Sequence, residues 1–359
     1  MRSYPLPSNT VENTGGTRPL RVVQWATGTI GSRALRAVIE HPGLSLVGVY
    51  VHGADKAGVD AGDFCGLGTT GVTATREIDE IVDLDADCIL YMPSGCNMDE
   101  VGRLLSAGSN VVTTTGQFHH PASMDPDVRR TVEDACRLGG TSIHSTGSSP
   151  GFISEAIPLA LTSIQRRLDS LTIDEYADLS RRPSPELLFD LMGFGQPPGE
   201  FAAYRVAYLQ ASFGPSLMHL ADALGLPVDA LESTGEAGTA SRTVEIAAGT
   251  LPAGTIAAQR ISVTGMRAGQ PLVRFRASWY CTTELEQEWD LHETGWHISV
   301  AGDAPLEVDL RMPIPLDRMA EISPAYTANR AVNAVAAVCA APPGIRTTAD
   351  LPQFIAALG

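Results

Sequence analysis

Between residues 21 and 150, short apolar β-branched runs take turns with helix-patterned stretches, and this alternation narrows the possible folds more than any other feature of the chain. LRVVQWA leads into IGSRALRAVIEHP, and LSLVGVYVH follows. After a Gly-rich loop come a helical stretch near TREIDEIVDL and the run ADCILYMPS. NMDEVGRLLSAG then precedes SNVVTTT, and DPDVRRTVEDACRLGG precedes TSIHSTG. Strands that are apolar along their whole length are buried on both faces, and helices between them join them in parallel. The expectation is an α/β fold, a Rossmann-type doubly wound parallel sheet over residues 21–150. Beyond Gly151 the texture changes. SEAIPLALTSIQRRL reads as helix, LDSLTIDEYADL follows, and a Pro/Gly-rich interval separates it from a second helical stretch, GPSLMHLADALGL. From about Thr243 to Met312 the runs RTVEIAAGTL, GTIAAQRISVTGM, PLVRFRASWYCTTEL, GWHISVAG and PLEVDLRM are broken by turn residues. They predict a mixed or antiparallel sheet in a second, α+β domain over residues 151–324. Residues 325–359 read as a helical return to the first domain, and residues 1–20 as a disordered leader.

Composition excludes several classes of function. A formal charge of −16 argues against a nucleic-acid partner, which needs clustered Lys and Arg. The chain has no run of about 18 apolar residues, so no membrane span is expected. Its six cysteines are scattered without a C-x-x-C pair and read as reduced thiols of a cytoplasmic protein. His119 and His120 are neighbours that an extended chain points to opposite faces, so no metal is expected.

The first strand meets its helix at VVQWATGTIGSRAL. Gly28 and Gly31 have the spacing of the last two glycines of G-x-G-x-x-G, with Ala26 where the first would stand. Gly28 would let the backbone approach a pyrophosphate, and the amides of Thr29, Ile30 and Gly31 would open the helix towards it. An NAD site usually ends the second strand in Asp or Glu. Here it ends in His52-Gly53 with Lys56 close behind and Asp55 displaced, which favours NADP(H) and leaves NAD(H) possible. Ligands of such sheets lie beyond the carboxyl ends of the strands. Pro93 and Ser94 in YMPSG, Thr114 and Thr115 in TTTGQF, and the segment HSTGSSPGF are therefore expected around the ribose and nicotinamide, with Gln117 beside the reactive ring. Asn333, polar inside the apolar helix NRAVNAV, is a candidate for the carboxamide.

The turn ATGTIG, then YMPS, NVVTTTGQF, STGSSPGF and the late TANRAVNAV together resemble the dihydrodipicolinate-reductase-like family, in the branch that holds 2,4-diaminopentanoate dehydrogenase and bacterial amine dehydrogenases; the overall look is actinobacterial. The resemblance implies a nicotinamide-dependent oxidoreductase, a homodimer, and a second domain that builds the substrate pocket and the dimer contact. It implies that STGSSPGF lies under the nicotinamide and leads into the second domain, and the substrate pocket is expected to be lined by His144, Ser148, Phe152 and Tyr176. In amine-forming members a carboxylate after the NVV-T-T strand binds and deprotonates ammonia or the amine. Gln117 stands at that position here, and an amide neither takes up a proton nor carries charge. Either Gln117 orients a carbonyl or preformed imine, or it replaces an ancestral Glu, or, ranked lowest, a carboxylate such as Glu155 or Glu175 serves instead.

His144 and His120 are candidate proton donors, though structural roles are the commoner fate of such histidines. Trp279, Trp289 and Trp296 read as core or interface. The reading is an NADP-dependent reductive amination of small ketones or aldehydes with ammonia. Its alternatives are an imine or carbonyl reductase, a reductase of charged cyclic imines using the arginines of SRRPSP, and a non-catalytic NADP sensor.

Overall fold

The computed structural model describes residues 18–199 and 201–358, so the expected leader lies almost wholly outside the described residues. The first part of the chain runs β1 (Leu20–Trp25), α1 (Thr29–Glu40), β2 (Leu44–Tyr50), β3 (Ala74–Thr75), α2 (Ile78–Val82) and β4 (Cys88–Tyr91). It continues with α3 (Met98–Ser106), β5 (Asn110–Thr113), α4 (Pro126–Gly139) and β6 (Ser142–Ser145). An irregular helical segment, Ser148–Ala156, leads into α5 (Ile157–Thr162). Next come β7 (Leu168–Asp178), α6 (Ala203–Ala223), β8 (Ala230–Thr239) and a hairpin of β9 (Val244–Ile246) and β10 (Gly249–Leu251). Then follow β11 (Ile256–Arg267), β12 (Gln270–Tyr280), β13 (Gly295–Gly302), β14 (Leu306–Arg311), α7 (Met319–Ile322), α8 (Pro324–Cys339) and β15 (Gly344–Ile345).

Seven strands form a parallel sheet in the order β15-β6-β5-β4-β1-β2-β3. Val22 and Val23 point to opposite faces of β1 and both are fully buried. One face is covered by α3 and α4 through Val101, Leu104, Leu105 and Val132, the other by α1 and α8 through Ala34, Val38, Val335 and Val338. Double coverage is the physical reason these strands lack polar alternation. The second sheet, β14-β13-β7-β12-β11-β8, is mixed: β7 and β12 are parallel and the other neighbours antiparallel. Helix α6 seals one face with Leu209, Phe213 and Leu217 against Leu171, Ile173 and Phe275, and the rings of Phe213 and Phe275 stack at 3.7 Å.

Three elements differ from expectation. The helix expected from Gly214 begins at Ala203 and carries Pro215 inside it, because tertiary packing along one face outweighs a helix breaker. The helix drawn through SEAIPLALTSIQRRL stops at Thr162. Strand β8, alternately exposed and half-buried and carrying Glu232, Gly235 and Glu236, is a polar edge strand with no apolar run to announce it. Among the described residues no helix is long and apolar enough to cross a membrane.

Candidate active site

The strand order of the first sheet reverses between β1 and β4, and a cleft of about 490 Å³ opens at the carboxyl ends of these strands. Its walls include Ala26, Thr27 and Gly28 after β1, His52, Gly53 and Lys56 after β2, and Met92, Pro93 and Ser94 after β4. Helix α1 starts here with neither a side-chain cap nor an acidic residue in its first turn, whereas Asn97 and Asp125 cap α3 and α4. The first-turn amides of Thr29, Ile30 and Gly31 are thus left for an anion.

Two glycines have different reasons to be there. A Cβ on Gly31 would stand 2.1 Å from the Ala26 carbonyl oxygen, whereas a Cβ on Gly28 would meet nothing within 4 Å. Gly31 is needed for the fold and Gly28 leaves room for a ligand. Ala26 takes the left-handed backbone, φ +72°, that the first fingerprint glycine would supply. Buried Gln24 holds that turn, its Nε2 donating to the Ala26 carbonyl at 2.9 Å. Lys56 Nζ reaches Thr27 Oγ1 at 3.3 Å, bringing its charge beside the turn. Shape and donor set fit a dinucleotide.

Thr114 and Thr115 follow β5, one strand over; Thr115 Oγ1 lies 3.0 Å from Thr113 Oγ1. Gln117 is exposed on the short turn Gly116–Phe118, which rests on α6; a Cβ on Gly116 would come 3.3 Å from the Ser212 carbonyl. The two histidines beyond it turn inward. His119 Nδ1 lies 2.6 Å from Glu155 Oε1, both side chains buried, and Thr348 Oγ1 donates to Glu155 Oε2. Burial would raise the Glu155 carboxyl, but the neighbouring His119 outweighs it and holds the pKa down at about 2. His120 Nε2 meets Asp222 Oδ2 of α6 at 2.9 Å. These contacts fasten the β5 loop to the second part of the chain.

Segment Ser148–Ala156 leaves β6 through a cis Ser149–Pro150 peptide. Ser148 Oγ is 2.7 Å from Thr327 Oγ1 of α8, and Arg330 of the same helix lies over the Phe152 ring at 5.6 Å. Asn333 is half-buried on α8. His144 does not join a pocket. It is 1% exposed, its Nδ1 is 2.7 Å from the Arg346 carbonyl and its ring meets Phe354 edge-on. Burial lowers its pKa to about 4, so it stays neutral beneath the C-terminal segment and is no proton donor. Tyr176 lines a separate cavity of about 190 Å³ with His292, Trp296 and His297. It faces away from α6, packing with Ala258 and Tyr280 and 4.8 Å from the His292 ring.

Strand alternation puts Glu175, not Tyr176, on the α6 side with Leu171 and Ile173. Glu175 Oε2 accepts from Ser149 Oγ and Trp296 Nε1, each at 2.8 Å, and Oε1 accepts from Trp279 Nε1 at 3.3 Å. Trp279 also walls a cavity of about 450 Å³ between α6 and the second sheet, with Ala177, Leu187, Met192, Tyr208 and Ile261 around it. The two indoles, read from sequence as packing residues, thus hold a carboxylate. Period-2 parity along LTIDEY was the signal that could have singled out Glu175.

Residues 152–359 match the family described as 2,4-diaminopentanoate dehydrogenase C-terminal domain, and residues 22–124 match dihydrodipicolinate reductase, N-terminus. An amine dehydrogenase of Streptomyces virginiae is 27% identical over 350 residues, 93% of this chain and 96% of that one. The 2,4-diaminopentanoate dehydrogenase of Acetoanaerobium sticklandii is 20% identical over 59% of this chain and 62% of its own. The solved structure of an amine dehydrogenase from Mycobacterium smegmatis shares the fold with a TM-score of 0.72 at 19% identity, over 94% of this chain and 97% of that one. With more than half of its length matched by one family and a dinucleotide cleft at its first sheet, the chain belongs to the 2,4-diaminopentanoate dehydrogenase C-terminal domain family and is an oxidoreductase.

Proposed function

We propose that this protein is an NADP-preferring amine dehydrogenase that aminates small, mostly apolar ketones or aldehydes with ammonia. The observation that carries the reading is the uncapped start of α1 at the sheet's reversal point, in a chain whose two parts both resemble amine-forming relatives. Gly28, Thr29, Ile30 and Gly31 would take the pyrophosphate. His52 and Lys56 would face a 2′-phosphate, which the cation beside Thr27 supports. Pro93, Ser94, Thr114 and Thr115 would border the ribose and nicotinamide, Asn333 would reach the carboxamide, and Phe152 would wall the substrate. Reduced nicotinamide, when bound, supplies a hydride. One hydride and one ammonium then convert a carbonyl group to a neutral amine and one water. The chain's task is to hold the carbonyl near the hydride, keep bulk water away and place the nitrogen. Gln117 would orient the oxygen or nitrogen by hydrogen bonding.

Residues 21–150 would serve as the nucleotide domain, 151–324 as the substrate and dimer domain, and 325–359 as the strap between them, in a cytoplasmic homodimer. A second reading, reduction of a carbonyl or preformed imine without ammonia, is favoured by the amide at Gln117. The deciding experiment follows NADPH oxidation with a panel of ketones and aldehydes, with and without high ammonia, for this chain and for Gln117→Glu. Ammonia-dependent turnover supports amination, ammonia-independent turnover supports the second reading, and tight NADPH binding with no turnover would indicate a sensor.

A further inference from the structure

The amine-forming reading leaves a chemical gap, because Gln117 cannot accept a proton from ammonium. The inference that follows rests on that reading. We infer that Glu175 is the carboxylate that binds the nitrogen, and that the cavity beyond Trp279 takes the apolar body of the ketone or primary amine.

The argument begins with charge. Among the described residues Glu175 forms no ion pair; its three partners, Ser149, Trp279 and Trp296, are neutral donors. Arg182 and Arg205 line the same cavity, yet neither pairs with it. A carboxylate held by neutral dipoles in a half-buried place retains its attraction for a cation. Its hydrogen-bonding capacity is also unfilled, because Oε1 accepts only the longer indole bond.

Position is the second argument. Through Ser149, Glu175 touches the segment that leaves the carboxyl end of β6, the edge at which nicotinamide chemistry is expected. Through Trp279 it touches the cavity wall. The turn that carries Gln117 is joined to the cavity wall through α6. It rests against Ser212 of α6, and Ser212 Oγ donates to the carbonyl of Tyr208, a cavity residue one helical turn away. In this assignment Glu175 binds the nitrogen, and the oxygen is left to Gln117.

The proton accounting closes. Glu175 takes one proton from ammonium, and the lone pair of the resulting ammonia forms a C–N bond at the carbonyl carbon. The nitrogen passes a second proton to the oxygen, the carboxyl returns the first, and the C–O bond breaks with loss of water. The iminium carbon then receives the hydride, leaving a neutral amine. In the last charged state the carboxylate faces the iminium cation, which it stabilises.

The test uses the full chain with NADPH bound, whose hydride neither an amine nor an alcohol can accept. Binding of cyclohexylamine and of its uncharged analogue cyclohexanol is measured by calorimetry at pH 7 in the unmodified protein and in Glu175→Gln, whose one acceptor oxygen can still serve Ser149 and Trp296. Glu175→Gln is expected to weaken cyclohexylamine on the order of tenfold to a hundredfold and to leave cyclohexanol within about twofold. Equal loss of both ligands, or loss of neither, overturns the assignment. If Glu175→Gln does not fold, the unmodified chain decides. A preference for amine over alcohol of about tenfold or more sustains the assignment, and any smaller preference overturns it. Binding is read without turnover, so failure of Glu175 is distinguishable from absence of amination, which the NADPH oxidation assay reports.

Discussion

At the scale of single residues, two glycines three apart make opposite demands. Gly31→Ala drives a Cβ into the Ala26 carbonyl and is expected to destabilise the fold by about 1–3 kcal/mol, seen as a lowered melting temperature without ligand. Gly28→Ala meets no protein atom, so stability should hold within about 0.5 kcal/mol while NADPH affinity, read by fluorescence titration, falls on the order of tenfold. His144, Glu155 and His219 are buried titratable groups whose pKa values are all lowered, and they share the response to acid. The folded pKa of His144, about 4, lies below its ordinary 6.5, so the unfolded chain binds the proton more readily. The stability this group supports is complete above pH 6.5 and is lost as pH falls towards 4, by up to ~3 kcal/mol. Glu155, held at about 2 against an ordinary 4.5, adds a second loss between those values. Melting temperature should therefore begin to drop just below pH 6.5. His144→Gln, which keeps a donor for the Arg346 carbonyl, should make that drop shallower and leave the part carried by His219, whose pKa burial also lowers; an unchanged profile would refute the assignment.

At the scale of elements, the C-terminal segment closes the edge of the first sheet from far along the sequence. Strand β15 pairs with β6, Phe354 covers His144, and Thr348 bonds Glu155. Ending the chain at Pro342 would bare the β6 edge and orphan the Glu155 oxygen that Thr348 serves. Such a truncation is expected to melt at least several degrees lower, and limited proteolysis should cut it faster near β6. Legibility in the sequence also divided by element. Buried parallel strands such as ADCILYMPS declared themselves through unbroken apolarity. Strand β8 did not, because an edge strand with one solvated face has no apolar run, and the start of α6 was masked by Gly214 and Pro215 within it.

At the scale of the molecule, the second sheet carries α6 on one face, while the other presents Arg274 and Arg276 paired with Asp174, and Arg260 paired with Glu236. A homodimer formed across this polar face is expected to have twice the chain mass in light scattering. Asp174→Arg, which removes the carboxylate that Arg274 and Arg276 share and puts a third cation beside those two, should shift it towards the monomer; a mass that is monomeric from the start would remove the dimer from the proposal.

Local rules in the sequence were enough to determine the class of the fold and to point to a cleft at the carboxyl ends of its first sheet. Gly28, His52, Lys56, Pro93 and Ser94 follow the strands that border that cleft, and strand ends are read from periodicity alone. The tertiary structure decided which side chains meet across the molecule. It buried His144 under a segment some 200 residues later in the chain, turned Tyr176 to the sheet face opposite α6, and brought Ser149, Glu175, Trp279 and Trp296 together from four separate segments. No local propensity encodes such a meeting. It depends on the register of strands distant in sequence, where a shift of one residue exchanges Glu175 for Tyr176.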